Sequence, residues 1–165
     1  MKRQMLPLLA LLGAVLPATA AADEEALTVR VQRLNLDTAT RIARAALEAC
    51  REQGIQVGVS VLDRNGIPQV VLRDTLAPPV TLPISRGKAY AAVMFGVPTS
   101  ELDARANTPI GRVPGLVMSP GAVPVQAGGA LLGAVGVSGA PSGATDEACA
   151  RAGVEAVQDD LEMAD

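Results

Sequence analysis

Val57-Gly58-Val59-Ser60-Val61-Leu62-Asp63-Arg64-Asn65-Gly66-Ile67-Pro68-Gln69-Val70-Val71-Leu72-Arg73 is the stretch that decides the fold. Valines at 57, 59 and 61 alternate with Gly58, Ser60 and Leu62, the two-residue period of a strand whose successive side chains point to opposite faces. Asn65-Gly66 suits the positive φ angles of a tight hairpin turn, so residues 67–73 should return antiparallel to residues 57–62. Pro68 has no N–H to donate and belongs near the start of that strand or at a sheet edge.

Upstream of the hairpin, Ala39, Ile42, Ala43, Ala46, Leu47 and Cys50 recur at spacings of three and four, the apolar stripe of a helix over 35–54. Asn35 or Asp37 can cap its start and Gly54 can end it, while Arg41, Arg44, Glu48 and Arg51 form a solvated face. Downstream, Ala77-Pro78-Pro79 is a loop that leads to a second helix over 83–95, stopped by Gly96 and Pro98, with Ile84, Ala91, Ala92 and Phe95 on its buried side. A short third helix over 99–106 with Thr99 or Ser100 as cap, and an exposed turn-rich loop over 107–115, come next. Residues 116–118, 122–126 and 131–138 read as three more strands, the last two joined at Ala127-Gly128-Gly129, before a final helix over 145–163 with Cys149, Ala152, Ala156 and Val157 on one side. Helix, two strands, helices, three strands, helix is the order of an α+β fold: a profilin-like antiparallel five-stranded sheet with packed helices, in a single domain.

Composition narrows the function. The chain has 165 residues, room for one core, and only Tyr90 and Phe95 are aromatic, so that core must be built from Val, Leu, Ile and Ala. No histidine occurs, which removes Ser-His-Asp and Cys-His catalysis, histidine bases and histidine metal ligands together. The net charge is -3, and loss of Lys2 and Arg3 with a leader makes it -5, which excludes nucleic acid as a partner class. Lys2-Arg3, the apolar run Met5 to Leu16 and the small residues Ala18-Thr19-Ala20 and Ala20-Ala21-Ala22 have the order of a secretory signal peptide over 1–22. That run is shorter than the ~20 apolar residues of a membrane span, so the mature domain, 23–165, is expected to be periplasmic or extracellular with no transmembrane anchor after cleavage. An oxidising compartment leaves two readings of Cys50 and Cys149: a disulfide, or two small buried apolar residues that never meet.

Gly128, Gly129, Gly133, Gly136 and Gly139 run through a strand instead of opening a helix, and no Gly-Lys-Ser/Thr follows, so they are read as sites of close backbone approach and not as a nucleotide loop. Asp63, Asp74, Glu101 and Asp103 lack metal-loop spacing and are read as surface carboxylates.

Longer segments carry a resemblance. Leu34-Asn35-Leu36-Asp37-Thr38-Ala39, Val59 through Gly66, Gly87-Lys88-Ala89-Tyr90-Ala91-Ala92, Phe95-Gly96-Val97-Pro98-Thr99, Ser119 through Pro124, Gly133 through Gly139 and Asp146-Glu147-Ala148-Cys149-Ala150 follow one another as in the GlcG/HbpS family, which the chain resembles over nearly its whole mature length. The resemblance implies a compact subunit that assembles into homo-oligomers. It further implies haem or a related tetrapyrrole as cofactor, which some members bind and some secreted ones degrade; other relatives accompany corrinoid or glycolate enzymes. Without histidine, an iron ligand must come from Tyr, Met, Cys, a hydroxyl or water. Tyr90 and Thr99 are the candidates, Thr99 also standing as a helix cap. Arg86 and Lys88, near Tyr90 on the same helix, are candidates to pair with propionates, with a solvated face as their bland alternative. Met94 and Met118 read as gap-filling core. The leading expectation is therefore an exported haem or tetrapyrrole binding protein. The alternative is a cofactor-free oligomeric accessory or regulatory protein that contacts an envelope sensor or enzyme. An enzyme of its own is the least supported reading, since no nucleophile-base pair is visible.

Overall fold

The Asn35 side chain accepts a hydrogen bond from the Thr38 N–H at 2.7 Å and so satisfies a donor that the first helical turn leaves free. The helix it opens, α1 (Leu36–Arg51), buries the six stripe residues named above. The structure, a computed structural model, describes residues 27–164; the leader read over 1–22 lies outside them. Residues 31–164 form one α+β unit. Its further elements are β1 (Gly58–Asp63), β2 (Pro68–Arg73), α2 (Thr81–Phe95), β3 (Ala122–Ala127), β4 (Ala130–Ser138) and α3 (Gly143–Met163). No helix among the described residues is long and apolar enough to cross a membrane.

The sheet is antiparallel throughout, in the order β2-β1-β4-β3. Its two faces bury different residues because strand side chains alternate. Val57, Val59, Val61, Val123, Val125, Val135 and Val137 meet Ile42, Ala43, Ala46, Leu47 and Val157 of α1 and α3, the largest apolar cluster. A fully buried valine contributes roughly 1.5–3 kcal/mol, so this aliphatic layer does the work that aromatics do in other cores. The opposite face is lined by small residues, and α2 lies close upon it: a Cβ on Gly136 would collide with the Ser85 carbonyl oxygen and stand 2.7 Å from the Ala89 nitrogen. Between these layers the buried Ser60 and Ser85 hydroxyls bond each other at 2.9 Å.

The sheet has four strands, not the five that the sequence suggested. Residues 116–118 join no ladder; the Val117 N–H donates to the Gly87 carbonyl at 3.2 Å, and Leu116 and Met118 pack with Ala91, Phe95 and Leu102. That apolar triplet, with Met118 buried and Leu116 and Val117 half-buried, packs against α2 instead of beside a strand, a difference three residues of periodicity do not encode. Residues 99–106 form two 3-10 turns, 99–101 and 103–105, instead of an α-helix. Pro83 lies in the first turn of α2, where no N–H is needed, so the helix starts two residues before it. Along α3, Ala156 is exposed and Gly153 is buried: a Cβ there would stand 2.7 Å from the Ile42 carbonyl oxygen.

Of the two readings of the cysteines, pairing holds. Cys50 and Cys149 form a disulfide between α1 and α3, with Cα atoms 5.6 Å apart.

Candidate functional site

The helix α2 covers β1 and β4 but leaves much of β2 open, and a cleft of about 770 Å³ lies between them. Ser60 and Val71 line its sheet side, Asn65, Gly66, Ile67 and Pro68 the hairpin side, Leu82, Pro83, Arg86 and Tyr90 the helix side, and Pro114 and Gly115 the loop side. The volume falls in the range of about 300–1,000 Å³ typical of small-molecule sites. Ile67 and Val71, 60% and 47% exposed, present apolar surface there that the chain itself leaves uncovered.

Arg86 and Tyr90 are four residues apart on α2, a spacing that puts them on one helix face. Neither the exposed Arg86 guanidinium nor the half-buried Tyr90 hydroxyl has a hydrogen-bond or ion-pair partner among the described residues. Two polar groups therefore converge on an apolar cleft with their hydrogen-bonding capacity unspent. The hairpin wall is braced by Asp63, whose Oδ1 accepts from the Asn65 and Ile67 N–H groups at 2.9 Å each, with Arg33 at 3.3 Å from Oδ2.

Lys88 and Thr99 stand elsewhere. Two residues after Arg86, Lys88 is rotated about 200° around the helix and buried. Its Nζ is 2.7 Å from Asp146 Oδ2 and donates to the Val137 carbonyl at 3.3 Å. Burial pushes the Asp146 carboxyl above the usual carboxylate range, against the pull of hydrogen bonds from Lys88 and from the Ala140 N–H. Thr99 is fully enclosed, and its hydroxyl accepts from the Ala122 N–H at 2.9 Å. It caps the edge strand β3 instead of a helix. Met118 is core and Met94 is exposed, its methyl group near Gly66. Asp63 and Asp74, read as surface carboxylates, are both buried; Asp74 accepts two bonds from Arg51, at 2.7 and 2.9 Å.

The sequence model of the haem-degrading HbpS-like proteins matches residues 34–155, more than half the chain. The chain belongs to this HbpS-like family. Among solved structures it is similar to a variant of HbpS from Streptomyces reticuli, at 40% identity, a TM-score of 0.74 and coverage of 87% of this chain and 97% of that one. It is also similar to the Klebsiella pneumoniae protein ORFY, at 25% identity and TM-score 0.73, over 79% and 94% of the two chains. A third similar structure is PduOC in complex with haem, at 25% identity and TM-score 0.69, over 75% and 94%. Comparison with curated proteins gives no significant match.

In this HbpS-like chain, sequence reasoning named two residues of the cleft, Tyr90 and Arg86, and missed the hairpin and loop walls. The signal was present: the segments Val59 through Gly66 and Gly87 through Ala92 were both singled out, and the structure brings them into contact where Tyr90 meets Gly66. No group of three or more His, Cys, Asp or Glu side chains suited to a metal ion occurs among the described residues.

Proposed function

We propose that this HbpS-like chain is an exported haem or tetrapyrrole binding protein whose ligand occupies the cleft between α2 and the β1–β2 hairpin. The observation that carries the reading is the pair of unpartnered polar groups, the Tyr90 phenol and the Arg86 guanidinium, above apolar Ile67, Val71 and Leu82. This donor set fits haem: a phenol is an oxygen ligand for ferric iron, and a guanidinium makes charge-assisted bonds to carboxylates such as propionates. Bound haem supplies an iron centre whose spectrum is set by the protein ligand. Tyr90 would offer its oxygen to that iron, Arg86 would orient the edge of the macrocycle, and the aliphatic wall would exclude water. Lys88 and Thr99 contribute by holding α2 and β3 in place. The reading is one of binding and assigns no catalytic residue.

Export is supported by the leader-like N-terminus and by the disulfide, since such bonds persist in oxidising compartments. Intact mass of the protein from the envelope fraction tests it: a mass lacking residues 1–20 or 1–22 is expected, and one retaining them overturns the cleavage. Homo-oligomerisation is supported by exposed apolar Leu76, Val80 and Met94 outside the cleft lining, and light scattering should give a mass above the monomer's.

Haem titration decides the ligand. Saturable binding with a high-spin, oxygen-ligated spectrum is expected. Tyr90→Phe should change that spectrum, and Arg86→Gln should weaken binding by about tenfold or more, the loss of one charge-assisted hydrogen bond. Unchanged spectra and affinities in both variants would overturn the site. No saturable binding by the wild-type chain would favour the cofactor-free accessory reading.

A further inference from the structure

The Tyr90 ring stands in a slot between two backbone turns. On one side is Gly66, at φ +79°, where a Cβ would stand 2.6 Å from both Cδ2 and Cε2 of the ring and 3.1 Å from Met94 Cε. On the other is Gly115, where a Cβ would stand 3.9 and 4.0 Å from Cδ1 and Cε1, an ordinary contact. Only on the hairpin side would a Cβ clash with the ring. Turn conformation alone does not demand this, because asparagine and aspartate also adopt positive φ in tight hairpin turns. Gly129 makes the contrast plain: it sits in the β3–β4 turn at φ +76°, and a Cβ there meets nothing within 4 Å.

We propose that Gly66 is a positioning residue for Tyr90: by lacking a side chain it seats the phenol ring against the Asp63-braced turn and fixes the direction from which the hydroxyl enters the cleft. A Cβ at 66 has to displace either the ring or the turn. The turn is held by the Asn65 and Ile67 N–H groups donating to the Asp63 carboxylate, so the ring, which can turn about both Cα–Cβ and Cβ–Cγ, gives way. The consequence for a bound tetrapyrrole rests on the cleft being the ligand site; the seating of the ring does not.

Tyr90 is the sole tyrosine and the chain has no tryptophan, so tyrosine emission reports on this ring alone. The experiment compares the full chain with Gly66→Ala and with Gly129→Ala, which carries matching backbone strain at an open turn. Acrylamide quenching of Tyr90 should rise at least twofold in Gly66→Ala and stay at the wild-type value in Gly129→Ala. Equal quenching in all three proteins would overturn the proposal. Should Gly66→Ala lose its fold by circular dichroism, Tyr90→Ala in the same chain provides the arbiter. Recovery of the fold in the double variant shows the ring to be the obstacle; failure to recover shows that the turn itself requires glycine and overturns the proposal. Added haem separates the two readings. An altered haem spectrum in Gly66→Ala joins the seat to the ligand. Altered quenching with no haem binding by any of the proteins leaves the seat standing and removes the ligand. Haem binding with a spectrum and quenching unchanged by Gly66→Ala removes the seat and leaves the ligand.

Discussion

Lys88 and Asp146, each with about 5% of its side chain exposed, show how a charge can belong to the scaffold when sequence proximity suggests a ligand site. Removing one member of a buried pair leaves the other uncompensated, so Lys88→Met should cost roughly 3–5 kcal/mol in chemical denaturation, and Lys88→Met with Asp146→Leu should cost less than Lys88→Met alone. A second buried carboxylate titrates the other way. The hydrogen bonds from Arg51, opposed in part by desolvation, hold Asp74 below the usual carboxylate range. A depressed folded-state pKa means stability that is present above the unfolded carboxylate's pKa, about 3.9, and lost as pH falls through the folded value. Unfolding midpoints measured from pH 6 down to pH 2 should therefore decline less steeply in Arg51→Met than in the wild type. At this scale, what the sequence made legible followed helical geometry. Arg86 and Tyr90 share a face because they are four residues apart, while Lys88, two residues on from Arg86, could have been set aside by the same arithmetic. Thr99 was not separable, because its partner, the Ala122 N–H, is distant in sequence and is fixed only by the tertiary fold.

Elements with a strong local signal were the legible ones: the hairpin at Asn65-Gly66, the α1 stripe with its Asn35 cap, and the α3 core side at Cys149 and Val157. Residues 116–118 misled because a short apolar run looks the same whether a strand or a helix covers it, and here the cover is α2. The edge strand β3 depends on side chains for its end groups: Thr99 at Ala122, and Gln158, whose amide donates to the Gln126 carbonyl at 3.2 Å. Thr99→Val keeps the volume but leaves the Ala122 N–H without its partner, and should destabilise the fold by about 1–3 kcal/mol in urea unfolding. The disulfide pairing was not legible, since spacing says nothing about which helices pack side by side on the same face of the sheet.

On the scale of the whole molecule, the sheet separates a thick aliphatic layer under α1 and α3 from a thin one under α2, and the cleft opens where the thin layer ends at β2. The disulfide ties the thick layer. Joining residues 99 apart removes unfolded-state entropy, so Cys50→Ala with Cys149→Ala should lower stability by roughly 2–5 kcal/mol, read from the denaturation midpoint. The same bond turns residues 50–149 into a covalent hoop that contains all four strands, α2 and every wall of the cleft. A protease that cuts at exposed Arg105 or Arg112 would open the hoop without releasing a fragment. Trypsin digestion should then yield a nicked chain that migrates as one band until a reductant is added and as two afterwards, so a single cleavage among foreign proteases would leave the cleft's walls on one molecule.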